Sequence, residues 1–256
     1  MLKAIAGSAS AMNAQQAKMD TIANNLANIN TTGYKKSRAD FSEIVWQKLS
    51  GSGIPVDTGS QEQKDSMVGG GVMVSGVTTN LMSGPLLETG RPLDLAVLGE
   101  GFFKVILPDG EERYTRDGTF SLDLNGNMTT SSGYQLDGIQ IPPGSVDLNI
   151  AVDGKVSASA EGEITEVGQV WLYKFSSASD LKQEGENLFS TAGEAVEGIP
   201  GSDGFGTIRQ GCLEASNVDL TEEMTSMIEA QRAYSFSARI MRTADEMLGL
   251  ANNLRK

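Results

Sequence analysis

Apolar residues recur at alternating three- and four-residue intervals at both ends of this chain. At the front, Leu2, Ile5, Ala9, Met12, Met19, Ala23 and Leu26 share one a/d register, with Gln16 as its polar occupant. At the back, Leu220, Met224, Met227, Tyr234, Ala238, Met241 and Leu248 do the same, interrupted by Gln231 and Asp245. A seam of period 3.5 drives helices to wrap around partners, so a long coiled-coil-like helix is predicted at each end. The first runs from about Leu2 to Asn28, where Thr31-Thr32-Gly33 supplies a stop. The second starts at Asp219, which stands three residues before Glu222 as a capping-box-like pair, with Glu223 adding negative charge to the first turn. It continues without proline to Leu254, with Gly249 its weak point, and its stripe drifts toward Ile240, Met247 and Leu254 through a stutter near Ala238.

Between the ends the pattern changes. A short amphipathic piece is expected around Phe41, Ile44, Val45 and Trp46, and Ser50 to Ser66 reads as an extended connector with hardly any apolar residue. From Val68 turn signals follow one another: Asp109-Gly110, Asp117-Gly118, Asn125-Gly126, Ser132-Gly133, Asp137-Gly138 and Asp153-Gly154. Short runs such as Leu93 to Val97 and Val170 to Phe175 lie between them, which predicts antiparallel hairpins rather than βαβ units. The 30 glycines among 256 residues fit that turn-rich body.

Composition removes much chemistry. The chain has no histidine, and Cys212 is its one cysteine, which excludes His/Cys metal sites, Ser-His or Cys-His catalysis and internal disulfides. Cys212 follows Ile208-Arg209-Gln210-Gly211 and reads as a small hydrophobe in a strand. The net charge is -13, and nearly all of it lies in the body, since residues 1 to 30 and 216 to 256 are each within one charge of neutral. An acidic body without a basic stripe makes nucleic acid and anionic membrane poor partners. No cleaved secretory signal is expected, because Lys3, Ser8, Ser10, Asn13 and Gln15 interrupt the N-terminal apolar run. No stretch is apolar for long enough to be expected to span a bilayer as a helix.

Two ligand-like motifs reduce to turns. Gly99-Glu100-Gly101 lacks the third glycine of a phosphate loop and leads into a strand, Phe102 to Ile106, where a helix is needed. Asp123-Leu124-Asn125-Gly126-Asn127 has Met128 where a calcium loop needs Gly and Tyr134 where it needs Glu, and reads as an Asx-type hairpin. The segment Asn24 to Lys35 carries four Asn in seven residues at a helix end. It reads either as a C-cap and turn or as a set of amides bridging to neighbouring chains.

Ala23-Asn24-Asn25-Leu26-Ala27-Asn28 with Thr32-Gly33-Tyr34-Lys35 resembles the N-terminal signature of the bacterial flagellar rod and hook proteins. The stretches Arg91 to Phe103, Tyr114-Thr115-Arg116-Asp117-Gly118-Thr119-Phe120, Glu214 to Asp219, and Ile228 to Tyr234 resemble the same family in the same order. Within it the length and the Glu229-Ala230-Gln231-Arg232-Ala233-Tyr234 segment suit a distal-rod member, with a proximal-rod relative as the alternative. Cys212 departs from the larger apolar residue common at its position. The resemblance implies export through the flagellar type III apparatus without a cleaved signal, and a passive drive shaft whose terminal helices line a tube while the β domain faces outward.

The expected fold is α+β, with a core of N-terminal helix (1–30) and C-terminal helix (213–256), a connector (31–67) and a central antiparallel β domain (68–212). The expected function is a structural subunit that self-assembles head-to-tail into a helical tube and transmits torque from motor to hook. Its expected interface comprises Leu2, Ile5, Met12, Met19, Asn24, Asn25, Leu26, Asn28, Thr32, Gly33, Tyr34, Asn217, Val218, Met224, Met227, Ile228, Gln231, Tyr234, Met241 and Leu248. Partners are other copies, adjacent rod and hook subunits, the export apparatus and the bushing rings around the rod; no cofactor or catalytic residue is expected. Two readings of other classes compete: a β-domain carbohydrate-active enzyme using two of the 33 acidic residues, and a secreted adhesin or binding module with coiled-coil ends.

Overall fold

The computed structural model describes residues 2–45, 47–48, 67–142, 145, 147–160, 163–175, 181–191, 193–202 and 204–253. The connector Ser50 to Ser66, Trp46 and Leu254 lie outside them. The fold is α+β: two helices, α1 (Leu2–Ala27) and α2 (Leu220–Asn253), enclose in sequence a large set of antiparallel strands. The chain divides into two compact units. One contains Met1–Asn24, Ser37–Thr78 and Thr221–Lys256; the other contains Asn25–Lys36 and Thr79–Leu220. Residues 25–36 thus group with the β-rich unit and residues 37–78 with the helices.

In the helical unit, α1 is rich in Ala, Met, Gln and Lys, all strong helix formers, and ends where Asn28 N donates back to Asn25 O at 3.2 Å. α2 begins directly after Asp219, carries Glu222 and Glu223 in its first turn, and reaches about 50 Å over 34 residues. Of the expected amphipathic piece, Phe41 lies in a strand, Ser37–Glu43, which pairs with Val72–Thr79 as a two-stranded ribbon. Its alternation of polar and apolar residues has period two, and Ala39 is its buried position. Thr78 Oγ1 donates to Asp40 Oδ2 at 2.7 Å, and Val72 N donates to Ser10 Oγ of α1 at 3.3 Å.

The β-rich unit is organised by a seven-stranded antiparallel sheet. Its order is Leu181–Gly185, Leu188–Thr191, Glu112–Thr115, Phe103–Ile106, Gln135–Gln140, Asn127–Thr130 and Phe120–Leu122. A three-stranded sheet of Asp147–Ile150, Lys155–Ala160 and Glu163–Gln169 adds to it. Leu95, Val97, Phe103, Phe120, Met128, Leu136, Ile139, Val156, Leu172 and Ile208 form one buried core, while Phe102, Tyr114, Tyr173 and Phe189 form an aromatic cluster beside it. Most turn signals connect strands as expected, but Asp137-Gly138 lies inside a strand. There the pairing jumps from Asn127↔Gln140 to Thr129↔Gln135, and Gly138 at φ 83° takes up the excess length as a bulge. Asp117-Gly118 is a close approach instead of a hairpin: a Cβ on Gly118 would stand 1.5 Å from Leu95 O. Cys212 is a buried, free thiol in the strand Cys212–Glu214.

Candidate assembly interface

On α2 the fully buried residues among those described are Glu223, Ala230 and Ala244, which stand at multiples of seven. Met227, Tyr234, Met241 and Leu248 are half-buried and complete the 3-4 spacing with Ser237. The covered stripe therefore shares half of the expected seam. The other half is open: Met224 is 52% and Ile228 50% exposed, and Leu220 and Gln231 are exposed with them. Further along, Phe236, Ile240, Met247 and Leu250 are exposed as well. Small side chains explain the shift, because Ala and Ser at heptad positions let a neighbouring element come close while contributing little to an apolar count.

α1 behaves similarly. Ser8, Ala14, Ile22 and Asn25 are its buried positions, whereas Ile5, Met12, Met19 and Leu26 are half-buried and Ala23 and Asn24 are exposed. Nothing is described of the Leu2 side chain. Gly7 and the Ala-rich sequence leave this helix with many small side chains, so its burial is spread broadly around it.

The motif residues expected at the interface meet inside the β-rich unit. Tyr34 Oη donates to Asn25 Oδ1 at 3.1 Å, with both residues buried. Thr31 Oγ1 donates to Asn28 Oδ1 at 3.2 Å, and Thr32 Oγ1 donates to Asp117 Oδ1 at 2.8 Å. Asn187 Nδ2 donates to the Thr32 carbonyl at 2.8 Å, and Gly33 N donates to the Glu214 carbonyl at 2.8 Å. Asn217 receives Lys36 N on its Oδ1 at 2.7 Å and donates from Nδ2 to the Asn80 and Met82 carbonyls, both at 2.9 Å. Val218 is buried beside it in sequence. Side-chain amides thus satisfy the backbone of an irregular segment that lacks a sheet partner of its own.

Gly33 shows why that segment needs its residue types. It lies at φ 68°, and a Cβ there would be 2.5 Å from Asp117 N. Gly33→Ala should combine left-handed strain with a backbone clash and cost about 2–4 kcal/mol. Thermal melting followed by near-ultraviolet circular dichroism checks this; an unchanged melting temperature would show that the segment moves aside freely.

At the centre of the same unit are three charges that the sequence motifs contain but do not announce as partners. Lys35 Nζ donates to Glu214 Oε1 at 2.6 Å, and Arg116 Nη1 donates to Glu214 Oε2 at 3.3 Å. All three side chains are at most 2% exposed. Gly84 N donates to Glu214 Oε1 at 2.9 Å, Lys35 Nζ to the Met82 carbonyl at 3.0 Å, and Arg116 Nη2 to the Gly99 carbonyl at 2.8 Å. Burial pushes the Lys35 ammonium below its ordinary value of 10.5, the Arg116 charge adds to that, and Glu214 opposes both. Arg116 is lowered by burial in the same way, again against the pull of Glu214. Two cations sharing one carboxylate leave an excess positive charge inside the protein.

Comparison with known proteins joins these features into one pattern. Residues 7–35 match the family described as "Flagella basal body rod protein", residues 96–158 the "Flagellar hook protein FlgE/F/G D1 domain", and residues 209–254 the "Flagellar basal body rod FlgEFG protein C-terminal". The chain is 40% identical to the flagellar basal-body rod protein FlgG of Borreliella burgdorferi over 100% of both chains. It is 39% identical to FlgG of Caulobacter vibrioides, over 99% of this chain and 100% of that one. It is 38% identical to FlgG of Bacillus subtilis over 100% of both.

Proposed function

This chain belongs to the flagellar basal-body rod protein family, and from that premise we propose that it is a structural subunit of the distal rod, assembling with further copies into a helical tube. The tube is a passive shaft that carries torque from motor to hook, and no catalytic step is part of its work. The observation that carries this reading is the apolar surface left open on α2 on either side of the covered stripe, Met224 and Ile228 along one flank and Phe236 and Ile240 along the other. A helix that is covered along one heptad stripe and apolar beyond it leaves surface in water that a second copy can bury. A contact between unlike faces that does not close generates such a tube. In this division of roles Met227, Tyr234, Met241 and Leu248 pack within the chain, and Met224, Ile228 and Gln231 meet the neighbour. The half-buried Ile5, Met12, Met19 and Leu26, with the exposed Asn24, present the second helix surface to it. Coiled-coil-like pairing of terminal helices then continues from copy to copy.

The proximal-rod alternative is not favoured, since the chain is 38–40% identical to FlgG proteins over essentially its full length. Its place is the flagellar basal body, in the periplasmic space where the envelope has one. No described helix is long and apolar enough to cross a membrane. The subunit leaves the cell unfolded through the flagellar export apparatus, without a cleaved signal, and meets adjacent rod and hook subunits and the bushing rings. Electron microscopy of basal bodies from a strain lacking this gene tests the assignment. Rods that stop short and carry no hook, restored by the intact gene, are the expected result; full-length rods in the deletion strain would overturn it.

A further inference from the structure

The hairpin joining Phe120–Leu122 to Asn127–Thr130 ends in Asp123-Leu124-Asn125-Gly126. Its tip is fixed from several directions. Gly126 N donates to Asp123 O at 3.0 Å, Asp123 N donates to Asn127 O at 2.9 Å, and Ile141 N donates to Gly126 O at 2.8 Å. The Asp123 carboxylate also accepts from Leu124 N at 2.6 Å and from Asn125 Nδ2 at 3.2 Å. A turn of this kind is served at its second position by most residue types. Here that position holds a leucine that is 101% exposed. Leu124 contributes no burial to its own fold, yet it is held out on a rigid support that has little freedom left to lose on docking.

The same unit contains a cavity of about 450 Å³ that would take such a tip. Leu81, Phe102 and Phe175 give it an apolar wall, and Arg116, Lys174 and Glu100 give it charged groups. Lys174 Nζ meets Glu100 Oε2 at 2.5 Å, which offsets one cation. Arg116 shares Glu214 with Lys35, so uncompensated positive charge stands directly behind the lining. Asp123, next to Leu124, has the opposite sign. Since Leu124 is wholly in water, it does not fill the cavity of its own chain.

We propose that the Asp123-Leu124 tip of one copy seats in this cavity of a second copy, the leucine against Leu81, Phe102 and Phe175 and the carboxylate toward Arg116 and Lys174. Tip and cavity are unlike surfaces, so the contact is heterologous and repeats from copy to copy. It rests on the rod assignment above and adds a link between β-rich units to the helical contacts.

Cross-linking in assembled basal bodies tests it. Leu124→Cys and Met82→Cys are made in separate copies of the gene and produced together in the source bacterium. Met82 lies on the cavity lining and is exposed, and Cys212 is buried, so the introduced thiols are the accessible ones. Oxidation of isolated basal bodies is expected to give a covalent dimer from this pair and none from Leu124→Cys with Val152→Cys, an exposed position outside the cavity. In competition with the unsubstituted chain, Leu124→Ser should enter basal bodies on the order of tenfold less often, with unchanged thermal melting. Normal incorporation of both cysteine variants without their dimer, equal cross-linking to Val152→Cys, or equal incorporation of Leu124→Ser would each overturn the contact while leaving the rod assignment standing. Absence of the unsubstituted chain from basal bodies would overturn the assignment and the contact together.

Discussion

Glu214→Gln should cost the chain about 3–5 kcal/mol of folding stability, the penalty for leaving buried charge without its counter-ion. The carboxylate receives Lys35 and Arg116 at once, and both cations are sealed from water. Lys35→Met should cost far less, about 1–2 kcal/mol, because it removes the cation–cation repulsion and leaves Arg116 and the Gly84 amide on Glu214. Urea titrations of the two variants measure the contrast, and a Lys35→Met loss equal to that of Glu214→Gln would show that the triad is not short of negative charge. The direction of the Lys35 shift gives a second readout. Its folded value lies below 10.5, so between the two values the unfolded chain binds more protons and stability rises with pH through that window. The rise should be absent in Lys35→Met. Tyr173, which burial and Glu197 hold up to about 12, acts oppositely at higher pH in both proteins, so the difference between them isolates Lys35.

That triad also marks where sequence reading stops. Lys35, Arg116 and Glu214 all lie within motifs that are visible in the chain, but Glu214 stands 98 residues from Arg116 and 179 from Lys35, so the three carry no local sign of meeting. The terminal helices were legible because their period is local, and the capping pair at Asp219 places the start of α2 correctly. Hairpins at Asn125-Gly126 and Ser132-Gly133 were legible for the same reason. The covered face of α2 was only half legible, since Ala230, Ser237 and Ala244 weigh little on any apolar scale although Ala230 and Ala244 are buried. The strand Ser37–Glu43 was missed because its partner, Val72–Thr79, lies beyond the connector and pairing across such a distance leaves no local trace. For the Asn-rich segment, periodicity left a cap and an intermolecular bridge open. The structure gives Asn25, Thr32, Gly33 and Tyr34 partners within the chain, which accounts for their residue types before any neighbour arrives.

Ile228→Asp should abolish rod assembly and motility while leaving the isolated chain within about 0.5 kcal/mol of its original stability. Ile228 is half exposed on α2, so an aspartate there is solvated in the monomer. In the tube the same carboxylate would have to be desolvated against an apolar neighbour, a cost of several kcal/mol repeated at every contact. Met227 stands one residue away on the covered stripe, and Met227→Asp should fail differently. It places charge against the chain's own packing, lowering the stability of the monomer by about 2–4 kcal/mol as well as stopping assembly. Both variants should still be secreted by the export proposed above, in which the chain passes unfolded and its seam is not read. Melting of the purified chains, detection of secreted subunit and swimming on soft agar separate the cases. Normal swimming by Ile228→Asp would remove that face from the interface and leave the covered stripe to pack within one chain. A stable monomer carrying Met227→Asp would instead place the heptad stripe between copies, with the open face turned to solvent along the shaft.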